Sequence, residues 1–342
     1  MRGYHYVGLD VHKKSISYCV KKGDGTVVSE GKIGARRQDL DEWLKGLPKR
    51  WIGGMEATMF TGWVYDYLEP HAVELKVGHP LKMKAITAAK HKSDALDAGT
   101  ISDLLRCNLF PECWMAPQEI RDLRRVLRYR NLLVREAVRM RNREAGILME
   151  CGLEYDKKRL HGKKYFRDLM ESLDDDTPRT VKELLVLTRS NYEIFDSGQK
   201  RLVKELEQNE ALRERIERLM SIPGVGVVTA LTWALEIGDP NRFPTVKDAQ
   251  SYCGLCAGRD ESAGKSKRGP LSKQRNAHLQ TMLVEAAKLA PRHNPQLAAA
   301  HQKEMERSSN PNRATLAVAR KLVAYLLYVD KSGEKFELRD SA

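Results

Sequence analysis

The hydrophobic period changes once along this chain, and that change limits the fold more than any other feature. Residues 4–10 and 15–20 have the alternation of strands, and Asp24-Gly25 supplies a tight turn into a third strand over 26–33. A helical stretch at 37–47, a strand at 51–55 ending on Glu56, a helix over about 60–70 and a strand near 73–77 follow. Beyond that point nearly every apolar pattern has helical spacing. A hairpin meander that continues into alternating helix and strand predicts an α/β layer with a mixed sheet. The 342 residues exceed what one core usually organises, so a second, mainly helical part is expected behind it.

The helical part is uneven in chemistry. Over 118–150, Arg121, Arg124, Arg125, Arg128, Arg135, Arg139 and Arg143 fall within an arc of about 100°, opposite Leu123, Val126, Leu127, Leu133, Val134, Ala137 and Val138. A solvated helix face usually mixes charge signs, and here only Asp122 and Glu136 interrupt, which favours phosphate contact. Residues 152–177 are polar and broken, with Asp174-Asp175-Asp176-Thr177-Pro178 as a stop and cap before a helix over 179–219. Its apolar positions, among them Leu184, Leu187, Phe195, Leu202 and Leu206, fit a helical hairpin or coiled coil against 118–150.

Ser221-Ile222-Pro223-Gly224-Val225-Gly226 then makes a glycine turn between two helical patterns. Such a turn resembles the hairpin of helix-hairpin-helix modules, in which amides at Gly224 and Gly226 face a phosphate; a plain tight turn is the alternative. A short helix near 245 precedes a loop over Gly258 to Lys273, with five basic and no acidic residues between Lys265 and Arg275. Helices at 273–290, 294–307 and 311–329 and a loose tail of about a dozen residues complete the reading.

Composition decides what the helices serve. Lys plus Arg number 59 and Asp plus Glu 46, a surplus of +13 that calls for a polyanionic partner, nucleic acid first. No run approaches the roughly 18 apolar residues of a membrane span. The N-terminus reads as a strand and not as a signal peptide, so a cytoplasmic, nucleoid-associated protein is expected. Six scattered cysteines do not form a disulfide framework, and Cys253-x-x-Cys256 lacks a second ligand pair, which leaves packing as their role.

Four acids stand out by position: Asp10 and Glu56 at strand ends, and Asp94 and Asp97 on one face of a helix start. Carboxylates so placed suit a pair of magnesium ions, about 3.5–4 Å apart in two-metal phosphoryl transfer. Each has a plainer alternative as turn acid, surface residue or cap.

Gly8-Leu9-Asp10-Val11-His12-Lys13, Met55-Glu56-Ala57-Thr58 and Lys92-Ser93-Asp94-Ala95-Leu96-Asp97-Ala98 resemble the three segments of the RuvC-like DEDD domain of IS110-family insertion-sequence transposases, similar to bridge-RNA-guided recombinases. The likeness continues through Ile222-Pro223-Gly224-Val225-Gly226, Tyr252-Cys253-Gly254-Leu255, Glu261-Ser262-Ala263-Gly264 and Gly269-Pro270-Leu271-Ser272-Lys273, in the family's order over nearly the whole chain. Departures are Gln274-Arg275 after Lys273, Gln280 where relatives often carry arginine, and the two cysteines.

The resemblance implies an RNase H-like (RuvC-like) α/β domain over 1–115, a helical coiled-coil arm over 116–212 and a mainly α serine transposase domain with the helix-hairpin-helix-like segment over 213–342. It maps metal binding onto Asp10, Glu56, Asp94 and Asp97 and a catalytic serine onto Ser262, with Ser266 and Ser272 as rivals. Arg259, Lys265, Lys267, Arg268 and Lys273 become candidates for clamping phosphate. The activity implied is that of a DNA transposase: magnesium-assisted attack by the serine, a covalent phosphoserine intermediate, and a structured guide RNA pairing with donor and target DNA. A homo-oligomer, dimer or tetramer, follows from exchange between two DNA molecules. Two rivals are a junction resolvase or RNase H-like nuclease using the acids with water, and a non-catalytic DNA- or RNA-binding protein.

Overall fold

The computed structural model describes residues 3–86, 94–173, 177–262 and 265–338, with the backbone alone at 85, 94–96, 259–262 and 265–268. The chain divides into two compact units, 1–118 and 119–342.

The first unit is built on five strands, β1 (His5–Val11), β2 (Ser15–Lys21), β3 (Val27–Gly34), β4 (Trp51–Glu56) and β5 (Glu74–Gly78), ordered β3-β2-β1-β4-β5. The meander pairs antiparallel, while β1–β4 and β4–β5 are parallel, the mixed sheet that the periodicity predicts. Val7, Leu9 and Val11 of β1 and Met55 of β4 point to one face, where Leu40 and Trp43 of α1 (Arg37–Lys45) and Val64 and Leu68 of α2 (Thr61–Leu68) cover them. The opposite face carries Tyr6 and Ile52, packed with Ile101, Leu104 and Leu105 of α4 (Asp94–Arg106); α3 (Pro80–Ile86) adds Met83.

Among its described residues the second unit is helical apart from one hairpin. Its α5 (Gln118–Glu150) has the bounds that its apolar spacing predicts. α6 (Lys163–Ser172) occupies part of the stretch read as broken, because Phe166 and Leu169 give it an apolar face to bury against Ile147, Leu148 and Leu185. The single helix expected over 179–219 is two, α7 (Arg179–Glu207) and α8 (Glu210–Met220), broken at Gln208 and Asn209 so that Leu212, Ile216 and Leu219 can turn into the main core. α5 and α7 run antiparallel: Glu144 faces Arg189 at 3.9 Å, a Cβ at Gly198 would stand 3.2 Å from Leu133, and Leu127 and Leu206 enter one core.

That core surrounds α9 (Val227–Ile237), buried from Thr229 to Ile237, as a helix apolar nearly all round must be. α10 (Val246–Tyr252), α11 (Ala277–Leu289), α12 (Pro295–Ser308) and α13 (Pro311–Ser332) enclose it. Of the stretch expected as a loose tail, Phe336 is held: its amide donates to Ser221 Oγ at 2.7 Å and its ring lies 4.7 Å from that of Tyr325. Among the described residues no helix is long and apolar enough to cross a membrane.

Candidate functional site

Strand alternation puts Asp10 on the same face as Tyr6 and Gly8, and Glu56 on the same face as Ile52 and Gly54, which is the face that α4 covers. The β1–β4 register runs to Leu9–Met55, so Asp10 and Glu56 are the next neighbours on parallel strands, about 4.8 Å apart at Cα. α4 comes very near this sheet. A Cβ on Gly8 would lie 2.0 Å from the Ala98 carbonyl oxygen, and the Gly8 amide donates to Ser102 Oγ at 2.9 Å. The Ser102 hydroxyl in turn donates to the Cys19 carbonyl at 2.7 Å.

The direction of α4 brings its first turn to the strand ends. Arg106 lies against Gly25 in the β2–β3 turn, Lys21 Nζ donates to Asp103 at 2.7 Å and to the Gly99 carbonyl, and Ala98 sits over Gly8, so α4 runs opposite to β1. From Ala98 back to Asp94 the helix rises about 6 Å, and from Gly8 on to Asp10 the strand advances about 7 Å. The backbone of Asp94 therefore stands at the level of Asp10 and Glu56, with Asp97 about 4.5 Å back along the helix towards Gly8.

These residues suit a divalent cation in donor type, since all are oxygen ligands drawn to one end of one face. The Asp94 side chain is outside the described atoms, and among the described residues no three His, Cys, Asp or Glu side chains already stand in ligating geometry. His12 Nε2 lies 3.0 Å from Asp10 Oδ2, a contact that the Asp-x-His spacing could have signalled.

The segment read as a loop around Ser262 is an antiparallel hairpin, β6 (Ala257–Ser262) and β7 (Lys265–Leu271). Its last pair is Ser262–Lys265, which puts Ser262 at the tip; Ala263 and Gly264 lie outside the described residues. Asp260 pairs with Lys267, Glu261 with Ser266 and Arg259 with Arg268. Ser262 and Ser266 therefore occupy register positions of opposite faces. The third rival, Ser272, closes a turn at the hairpin's foot, where its Oγ accepts from the Gln274 amide at 3.1 Å. Lys273 and Arg275 line an open cleft there with Gly258, Pro270 and Gln280.

The arginine face of α5 is not the uniform rail that the helical wheel predicts. Arg128 makes two hydrogen bonds of 2.8 Å to Glu236, which is fully buried, and Arg124 donates to the Leu235 and Glu236 carbonyls. These two arginines serve the protein's interior. Arg125 and Arg139 are exposed beside Asp122 and Glu136, and Arg135 is exposed as well; Arg121 is half-buried. Gly224 also turns inward: its φ is +94°, and a Cβ there would meet Ala290 at 2.8 Å. Of the two glycines only Gly226, exposed at the start of α9, has open space around it.

The hub around Glu236 escaped the sequence reading. Asn276 Nδ2 donates to Glu236 Oε2 at 2.9 Å, and the Tyr252 hydroxyl meets the Glu236 carbonyl at 3.3 Å. Burial raises the Glu236 carboxyl, and hydrogen bonds from Arg128 and Asn276 with the charges of Arg128 and Arg124 overcome that, holding it below its ordinary value. A lone glutamate in an otherwise apolar helix was the available signal. Cys253 is buried in this core and its thiol is pushed up to about 12 by burial, as a packing residue's would be.

Two family models match the chain. Residues 7–152 match a transposase model for the DEDD domain of IS110-type elements, and residues 216–302 match the Transposase IS116/IS110/IS902 family. The chain is similar to the transposase for insertion sequence element IS1328 of Yersinia enterocolitica, 23% identical over 83% of each chain. It is also similar to the putative transposase y4qE of Sinorhizobium fredii, 24% identical over 82% of this chain and 70% of that one. The transposase for insertion sequence element IS1111A of Coxiella burnetii is 28% identical over 51% of this chain and 48% of that one.

Proposed function

This chain belongs to the IS110 family of transposases and so acts in DNA transposition, and from that premise we propose that it cuts and rejoins DNA through Ser262 with the help of Asp10, Glu56, Asp94 and Asp97. The observation that carries the reading is the meeting of Asp10 and Glu56 on adjacent parallel strand ends under the first turn of α4, the helix that begins at Asp94. The strand order β3-β2-β1-β4-β5 supports an RNase H-like domain. The antiparallel pairing of α5 and α7 supports a coiled-coil arm.

In this reading the four acids hold a pair of magnesium ions. Bound there, divalent ions would offset charge developing on the scissile phosphate. The Ser262 oxygen forms a bond to phosphorus while one bridging P–O bond breaks. The serine proton leaves to solvent, and the departing DNA oxygen takes up a proton to become a hydroxyl. One phosphoester replaces another, so a hydroxyl of a new partner reverses the step without ATP. Arg259 and Arg268 hold paired register positions across the hairpin. That pair, with Lys265, Lys267 and Lys273, clamps the strand. A guide RNA pairs with donor and target, so that sequence choice lies outside the side chains. Two or more subunits act together.

The test is covalent capture. The full chain, prepared with RNA transcribed from its own flanking DNA, is incubated with magnesium and a supercoiled plasmid carrying that DNA, then denatured. A DNA–protein adduct that disappears in Ser262→Ala and in Asp10→Ala is expected. Cleavage that persists in Ser262→Ala makes water the nucleophile, and cleavage unaffected by ribonuclease removes the guide.

A further inference from the structure

Among the described residues β6 and β7 pair with each other and with no third strand, and a two-stranded ribbon has little stability of its own. Among the described residues, the hydrogen bonds that tie the hairpin to the helices lie at its foot. From the end of α10 into β6, four backbone carbonyls accept hydrogen bonds, three from residues of the helical body and one from the hairpin's own second foot. The Asn276 amide donates to the Tyr252 carbonyl at 2.9 Å, Gln280 Nε2 to that of Gly254 at 2.6 Å, Arg320 Nε to that of Leu255 at 2.9 Å, and the Ser272 amide to that of Cys256 at 3.1 Å. Gly254 has a φ of +71°, and a Cβ there would come 2.6 Å from Arg275, so the turn admits no bulk. Gln250 returns a bond to the Arg320 carbonyl at 3.0 Å, which ties α10 to α13 behind the hairpin.

We propose that Gln280 and Arg320 are positioning residues for the strand-transfer reaction, which clamp the foot of the β6–β7 hairpin and so set where Ser262 stands. The proposal rests on Ser262 being the nucleophile. Its physical basis is leverage. Five residues of strand separate Ala257 from Ser262, about 17 Å, so a tilt of about 10° at the foot moves the tip by about 3 Å. A displacement of about 1 Å in a reacting group can cost 100-fold in rate. The Gln280 amide is spent inward on the Gly254 carbonyl.

Four variants of the full chain test this on the supercoiled plasmid: Gln280→Leu, Arg320→Met, Arg320→Lys and Ser262→Ala. Gln280→Leu and Arg320→Met are expected to slow single-turnover adduct formation at saturating plasmid by at least about tenfold. The half-saturating plasmid concentration and the melting temperature should stay near those of the parent, and amide exchange over 257–271 should quicken. Arg320→Lys, which keeps a donor, should recover most of the rate. Unchanged exchange and rate overturn the clamp. So does a rate loss that tracks weaker DNA binding, or a fall in melting temperature that Arg320→Lys shares. An adduct that survives in Ser262→Ala overturns the serine premise instead, and the exchange data then report on the clamp separately.

Discussion

Arg128 and Arg139 lie on one arc of one helix, yet the two side chains do different work. The guanidinium of Arg128 is the partner of a carboxylate with no solvent exposure, whereas Arg139 pairs with the half-exposed Glu136. Removing one partner of a buried pair strands the other, which typically costs 3–5 kcal/mol. Arg128 is itself half exposed, so Arg128→Ala is expected to lose about 2–3 kcal/mol in urea unfolding, while Arg139→Ala changes stability by no more than about 0.5 kcal/mol. The order reverses for nucleic acid. Arg135→Ala and Arg139→Ala should each lower the slope of log binding constant against log salt by about 1 if a phosphate contact is lost. Equal stability losses in Arg128→Ala and Arg139→Ala would contradict the division. A helical wheel assigns direction around an axis, but it cannot say that a glutamate 108 residues away claims one member of the face.

Elements made of local pattern were legible, and those made by distant partners were not. The five strands, α1, α2 and α5 lie within a few residues of where alternation and spacing put them, because each buries the face its own sequence defines. The hairpin carrying Ser262 was read as a loop, since Gly258 to Lys273 offers no apolar alternation and its strands are held by each other and by their foot. Gly8 belongs to the legible class only in retrospect: as part of a motif it marked Asp10, and its own task is to admit α4. Gly8→Ala sets a methyl 2.0 Å from the Ala98 oxygen and 2.7 Å from the Ser102 nitrogen, so at least about 3 kcal/mol of stability should go, as measured by urea unfolding.

The pairing of α5 with α7 holds a second element-scale prediction. Burial pushes Glu144 up to about 7 and His161 down to about 4, and the two side chains meet at 3.1 Å. Folding makes Glu144 hold its proton, so its contribution falls as pH rises from its ordinary 4.5 towards 7. Folding makes His161 give its proton up, so its contribution grows from pH 4 to its ordinary 6.5. Between 4.5 and 6.5 the two slopes oppose. Glu144→Gln should therefore give a melting temperature that climbs with pH from 4 to 6.5, and His161→Gln one that declines from 4.5 to 7, where the parent stays flatter. Parallel curves for all three proteins would remove the pair from the energetics of the α5–α7 packing.

At the scale of the whole molecule, the acids and Ser262 belong to different compact units, 1–118 and 119–342. If, as proposed, the chain exchanges strands between two DNA molecules through a serine, at least two nucleophiles are needed, hence two copies of each unit. Whether a reaction centre joins units of one chain or of two is then a question of pairing, and mixing variants answers it. In a dimer of one Asp10→Ala chain with one Ser262→Ala chain, pairing within a chain leaves both centres broken. Pairing between chains leaves one centre with intact acids and an intact serine. Random assembly makes about half of all dimers mixed, so pairing between chains predicts about a quarter of the parent's adduct yield from an equal mixture of two inactive proteins. On the proposed function that recovery is the expected result, because needing residues of two chains for each cut couples cleavage to assembly and keeps a lone chain from cutting DNA it cannot rejoin. An equal mixture as inactive as its components would put acids and serine of each centre on the same chain.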